Sequence, residues 1–425
     1  MAKISEKLSL QQLKSYAKAY DKNPVNGAIE AAINNVGIDQ SAMNPETVKK
    51  HNFIFSDECK QGEATNQKQS GRCWYFASLN SLRQIVMEKL NIETFEFSQT
   101  HLYFYDKLEK ANTFLENIIR TVERDIEDRE LGLILDSTTY DGGYWDYFKP
   151  LCLKYGLIPK SEGPESFHSQ NSYMFTKQMD YRLKRTAMQI RAAFRAKKDI
   201  EALRDMKNSA LEEIYNIAVK CLGHPVEKFT FSYRDKDKEF HRLPSMTPLE
   251  FFEKYIGKEE LENRITLISD PRSKFPHGRY LENSLFRSVY DAPAVGGLNV
   301  PIEAMAKAVA KSIKAGVPVW FACDVGKDVD RKKGILDVKL YNYDKILPPI
   351  GEFTKAERFE SGYSEATHAM NLTGVDLDAE GNPLCWKVEN SWGDENGKKG
   401  TFSMSHEWFI EYTYEAIVDK KFIDE

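Results

Sequence analysis

The strongest constraint on this chain is that its two periodicities are segregated. Up to about residue 222, apolar residues recur at helical spacing. Beyond residue 228, short runs alternate and are rich in β-branched and aromatic residues: "KFTFSYRD", "RITLISD", "VPVWFACD", "NLTGVDLD", "LCWKVENSW", "GTFSMS" and "EAIVD". One helix interrupts them, "PIEAMAKAVAKSIKAG", with Pro301 near its start and Gly316 at its end. Helices first and strands afterwards is the signature of an α+β fold rather than an alternating α/β one. With 425 residues, one enlarged domain or two to three lobes is expected.

The helical half divides further. Helices are expected over residues 9–20 and 25–35, then a polar segment to about residue 69. A helix opens at Cys73 and runs to about Leu90, burying Phe76, Leu79, Leu82, Ile85 and Val86. Ser98 caps another helix, and a separate one is expected over residues 113–128. "DGGYWDYFKPLCLKYGLIP" reads as a glycine turn, a helix and a glycine stop. Residues 172–222 are long, charged and helical, and read as a hairpin of two helices with a solvated face. The resulting organisation is an N-terminal helical extension (1–60), a helical lobe carrying Cys73 (61–165), a helical insertion (166–225) and a β-rich lobe (226–425).

Composition excludes some classes. A net charge of -5 makes nucleic acid an unlikely partner. The first twenty residues lack the apolar centre of a signal peptide, and "VPVWFAC" is far too short to cross a bilayer. The six cysteines contain no C-x-x-C pair and suggest no disulfide framework. A cytoplasmic location with reduced thiols is the expectation.

Five cysteines sit in ordinary apolar or loop contexts; Cys73 stands where a helix begins. Free N–H groups and the positive end of the helix dipole favour a thiolate there. A nucleophile needs a base, and a base needs an orienting group. Of eight histidines, seven (His51, His101, His168, His224, His241, His277 and His406) are expected at the surface or in caps. His368 lies where a strand begins, in "SEATHAMNLTGVD". Asn390 ends another strand in "WKVENSWGDENG"; its amide would hold the imidazole, and Trp392 would shield that bond from water. The Cys73 N–H and the Gln67 side-chain amide are the expected donors to an oxyanion. H-E-x-x-H and G-x-S-x-G are absent, and this chemistry calls for no metal or cofactor.

"NQKQSGRCWYFASLNSL", "THAMNLTGVD" and "WKVENSWGD" together resemble the papain-type cysteine peptidases. With "DGGYWD", "KYGLIPKSEGPESF" and "KVENSWGDENGKKGTFSMSHEWF" added, the chain is similar to the aminopeptidase C and bleomycin hydrolase branch from about residue 10 to 420. The resemblance implies a papain-like two-lobe fold acting on peptides. Cys73 would be the nucleophile, His368 the base and acid, Asn390 the orienter and Gln67 the oxyanion donor. It implies that Gly142 and Gly143 let the substrate backbone approach, beside Trp392. A homo-hexamer is also implied, and Ser70, in place of a disulfide-bonded cysteine, fits the intracellular branch. In that branch a C-terminal arm enters the cleft and its carboxylate meets the substrate amine. Here seven residues follow Val418, so endopeptidase activity is expected beside aminopeptidase activity. An arm removed from a longer protein, or Glu425 itself reaching the cleft, stays open at this level. The alternatives are an acyltransferase using the same residues, and a catalytically weak binding, scaffold or nucleic-acid-binding protein on a peptidase fold.

Overall fold

The computed structural model describes residues 7–424. Two helices lead, Leu10–Asp21 and Asn26–Val36, the first closed by a reciprocal cap between Ser9 and Gln12. The stretch that follows, expected to be merely polar, carries short helices at Ile38–Ala42 and Pro45–Lys50.

The helix Cys73–Lys89 is buried along nearly its whole length and lies at the seam of two cores. On one side are the helices Gln99–Arg120 and Trp145–Tyr155 and the hairpin Tyr173–Arg195 with Ile200–Leu222. Ser98 caps Gln99–Arg120 through the His101 N–H, as its sequence suggests. Two helices were expected over this region, but one of 22 residues runs through Thr113. Neither glycine nor proline interrupts it, and the Thr113 hydroxyl, a potential cap, instead donates to the Ser288 carbonyl 2.9 Å away. Trp145–Tyr155 stops at Gly156, whose φ of 69° favours glycine and whose missing Cβ would meet the Pro248 carbonyl carbon at 2.2 Å. Phe229, Met246, Phe251 and Leu261 also join this helical core, which thus extends past residue 226.

The other core is built on an 11-stranded sheet. Its path runs Tyr280–Asn283, Val295–Asn299, Arg264–Ile268, Thr413–Asp419, Val319–Cys323, His368–Leu377, Pro383–Glu389, Thr401–Ser405, Ile335–Leu336 and Val329–Asp330; Asp57–Glu58 pairs beside His368–Leu377. Two pairings are parallel, Arg264–Ile268 with Val295–Asn299 and Thr401–Ser405 with Ile335–Leu336. The run at residues 228–235 yields only a small separate hairpin, Ser232–Arg234 with Phe240–Arg242.

Strand alternation divides the two faces. Val319, Phe321 and Cys323 point into the sheet's own core beneath the helix Ile302–Lys314. Trp320, Ala322, Ala369 and Ile417 point toward the helical lobe. The seam is stitched by Trp320 Nε1 donating to the Trp74 carbonyl at 3.3 Å and Asn371 Nδ2 donating to the Ala77 carbonyl at 2.8 Å. Among the described residues no helix is long and apolar enough to cross a membrane.

Candidate active site

No side chain caps the helix that begins at Cys73. The Tyr75 and Phe76 N–H groups donate to the Arg72 carbonyl at 2.9 and 3.2 Å, and those of Cys73 and Trp74 act on the Cys73 thiol. The Ala369 N–H, on the sheet, also acts on the Cys73 thiol, so the residue after His368 lies near Cys73. Burial nonetheless pushes the Cys73 thiol up, against the lowering effect of these three N–H groups. Helix position and burial thus act on the thiol in opposite directions.

His368 is buried, and its Nε2 lies 2.9 Å from Asn390 Oδ1. The Ser391 N–H also donates to Asn390 Oδ1, at 2.8 Å, and an N–H can only donate. That fixes which end of the amide is oxygen, so the imidazole proton sits on Nε2. Nδ1 makes no hydrogen bond among the described residues. Burial lowers the His368 pKa to about 4, helped by the nearby Arg331 charge and opposed by the Asn390 bond. Trp392 stacks on the imidazole with ring centroids 4.8 Å apart, and Arg331 lies over the outer face of the indole at 4.6 Å. Asn390 itself is 1% exposed.

Gln67 is brought beside this group by backbone pairing: its N–H donates to the Ser391 carbonyl at 2.8 Å. Its Oε1 accepts from Ser391 Oγ at 2.7 Å and its Nε2 donates to the Ser70 carbonyl at 2.7 Å. A primary amide has two N–H bonds, so one donor remains.

The glycine pair has separate reasons. A Cβ on Gly143 would lie 2.5 Å from the Trp74 ring, whereas one on Gly142 would meet nothing closer than the Tyr140 ring at 3.4 Å. Gly143 is required by the residue next to Cys73; Gly142 is open.

The residue that organises this corner went unrecognised in the sequence. Asp141 accepts from the Gly71 N–H at 3.0 Å, from Tyr103 and Lys107 at 2.7 Å each, from Thr176 at 3.2 Å and from Ser172. Its carbonyl takes the Trp74 indole N–H at 2.7 Å. Burial would raise its carboxyl pKa, but Lys107 and these donors hold it far below the usual range. One carboxylate thus ties the loop before Cys73 to the helices Gln99–Arg120 and Tyr173–Arg195. Its only hint was its position before the glycine pair. Arg72, fully buried and paired with Glu165 at 2.9 Å, supports the same loop.

Two histidines contradict the expectation of a surface role. His101 is buried with Nε2 3.1 Å from the Tyr155 carbonyl, and His51 is buried between Asp337 and Ser403. Glu425 lies outside the described residues. The segment before it leaves the strand Thr413–Asp419 and turns onto Ile302–Lys314, where Asp424 pairs with Lys311.

A model of the Peptidase C1-like family matches residues 7–425. Aminopeptidase C of Streptococcus thermophilus is 40% identical over 404 residues, covering 95% of this chain and 91% of that protein. Aminopeptidase C of Listeria monocytogenes is 38% identical over 420 residues, covering 99% and 94%. The crystal structure of PepW from Lactobacillus rhamnosis HN001 matches with a TM-score of 0.97 at 36% identity, covering 99% of this chain and 94% of that one.

Proposed function

We propose, because the chain belongs to the Peptidase C1-like family and is a cysteine peptidase with the papain-like fold, that it hydrolyses peptide bonds through a thioester on Cys73. The observation that carries this is the fixed tautomer of His368: its proton is committed to Asn390, which leaves Nδ1 free to accept, and the next residue, Ala369, lies near the Cys73 thiol. Burial disfavours either charge alone. Moving the proton from Sγ to Nδ1 creates both charges together, so each supplies the counter-charge the other lacks.

Sulfur then attacks the scissile carbonyl. The Cys73 N–H and the spare N–H of Gln67 hold the oxyanion. The imidazolium gives its proton to the leaving amine as the C–N bond breaks, leaving the acyl group on sulfur. His368 then takes a proton from water, hydroxide adds to the thioester, and the acid departs as the thiol is restored.

The relatives named aminopeptidase C support removal of N-terminal residues as the principal activity. Cleavage of internal bonds is the second activity. Peptides are the partner class, and assembly as a cytoplasmic hexamer fits the exposed apolar residues Leu10, Leu13 and Tyr16 of the first helix. Turnover of a leucyl amide and its N-acetyl form by wild type and Cys73→Ala tests the reading. The variant should hydrolyse neither; residual activity equal to wild type overturns the mechanism. A strict need for the free amine overturns the internal cleavage.

A further inference from the structure

A second cluster of nucleophilic and titratable side chains stands outside the catalytic corner. His51 follows the helix Pro45–Lys50, Asp337 follows the strand Ile335–Leu336, and Cys385 and Ser403 stand on the adjacent strands Pro383–Glu389 and Thr401–Ser405. Trp386, Val388, Phe402 and Met404 point into the core, so Cys385 and Ser403 share the opposite face of the sheet. His51 Nε2 lies 3.1 Å from Asp337 Oδ2 and Nδ1 lies 2.8 Å from Ser403 Oγ. Ser403 Oγ in turn lies 3.1 Å from Cys385 Sγ. Asn390 is about 17 Å further along the strand from Cys385.

The hydrogen bonds of this cluster run in one direction. Burial would raise the Asp337 carboxyl pKa, but His51 and the Lys339 N–H hold it below the usual carboxylate range. An ionised carboxylate only accepts, so His51 Nε2 carries a proton. Burial would lower the His51 pKa, but Asp337 and Cys385 raise it to about 9, so near neutral pH Nδ1 carries a proton as well. Nδ1 therefore donates to Ser403 Oγ, and the single O–H of Ser403 is left to donate to the Cys385 sulfur. A hydrogen-bond donor and a cation beside a sulfur favour its charged form, which is the form that attacks a disulfide. The other charges on this face are Asp376, across from Cys385, and Lys387, tied to Glu58.

The remaining cysteines lack this arrangement. Cys59, Cys152 and Cys323 are buried. Cys221 is partly exposed, as Cys385 is, but burial pushes its thiol up and no side chain offsets that among the described residues.

We propose that Cys385 is a thiolation site, its sulfur exchanging with a low-molecular-weight disulfide under the direction of Ser403 and the His51–Asp337 pair. The Cys385 sulfur attacks one sulfur of the small disulfide. A new S–S bond forms on Cys385, the old S–S bond breaks, and the departing sulfur leaves with the proton that the Cys385 thiol gives up. Cys385 is oxidised to a mixed disulfide, the small disulfide is reduced to release one thiol, and an excess of free thiol reverses the step.

Cys73→Ala protein, which lacks the catalytic thiol, is incubated with hydroxyethyl disulfide at pH 7 and each cysteine is followed by peptide mass mapping. Cys385 should be modified at least tenfold faster than Cys221, and a reducing thiol should remove the added group. Ser403→Ala and His51→Gln should each slow Cys385 by tenfold or more and leave Cys221 unchanged. Cys152 and Cys323 should stay unmodified, which reports that the variants are folded; where one variant exposes them, the parent contrast and the other variant decide. Cys385 no faster than Cys221 in the parent, or a Cys385 rate that a folded variant leaves unchanged or raises, overturns the proposal. The outcome is independent of hydrolysis at Cys73.

Discussion

His368 Nε2 is 2.9 Å from Asn390 Oδ1, and that oxygen is itself pinned by the Ser391 N–H. Asn390→Ala removes the acceptor while Trp392 still stacks on the ring. kcat should fall by about 10²-fold, the low end of what positioned acid–base catalysis contributes. KM should change little. Steady-state kinetics on a leucyl amide reads this directly, and unchanged kcat removes Asn390 from the mechanism.

Asp141→Asn keeps the shape of the side chain but leaves the buried Lys107 ammonium without its carboxylate. Breaking a buried pair costs about 3–5 kcal/mol. Urea denaturation should show a loss of that order, and activity should fall because Gly71 and Trp74 lose their anchor beside Cys73. A loss below about 0.5 kcal/mol, the range of ordinary surface changes, contradicts the anchoring role.

The glycine pair should respond unequally. Gly143→Ala drives a methyl group into the Trp74 ring, an overpacking that costs about 1–3 kcal/mol and shifts the backbone next to Cys73. Gly142→Ala meets only ordinary contact and should stay within about 0.5 kcal/mol of wild type. Melting curves of both variants check the contrast. Equal shifts would mean that Trp74 yields freely.

His51 joins the segment before Cys73 to the β-rich lobe through Asp337 at 3.1 Å and Ser403 at 2.8 Å. Burial alone would lower its pKa, but Asp337 and Cys385 raise it to about 9. A folded pKa above the unfolded value gives stability that is complete below about 6.5 and is lost as pH rises through about 9. At about 1.4 kcal/mol per unit, the contribution is on the order of 3 kcal/mol. Wild type should exceed His51→Gln most at pH 6, and the gap should close toward pH 9.5. A gap constant across this range contradicts an ionised His51.

Some of this architecture was legible because its signal is local. The Cys73 helix shows its buried face in Phe76, Leu79, Leu82 and Val86, and Val319–Cys323 is written in β-branched and aromatic residues. Val295–Asn299 carried no such signal. Its Gly296 and Gly297 are glycines because a Cβ would meet the Leu281 and Thr266 carbonyl oxygens at 2.6 and 2.7 Å, a constraint imposed by neighbouring strands. At the candidate site, Cys73, His368 and Asn390 stood out by residue type and by their places at element ends. Asp141 and His51 were not, because their partners lie tens to hundreds of residues away in the chain. The opposing effect of burial on the Cys73 thiol was not readable for the same reason: helix position is local, whereas burial comes from the packing of helix against sheet.

The most direct test is alkylation by one equivalent of a leucyl chloromethyl ketone, followed by peptide mapping and residual-activity assay. The label should fall on the peptide containing Cys73, activity should drop in proportion to it, and His368→Ala should slow labelling by about 10²-fold. Full activity with Cys73 completely labelled, or inactivation with the label on any other cysteine, would contradict the thioester mechanism.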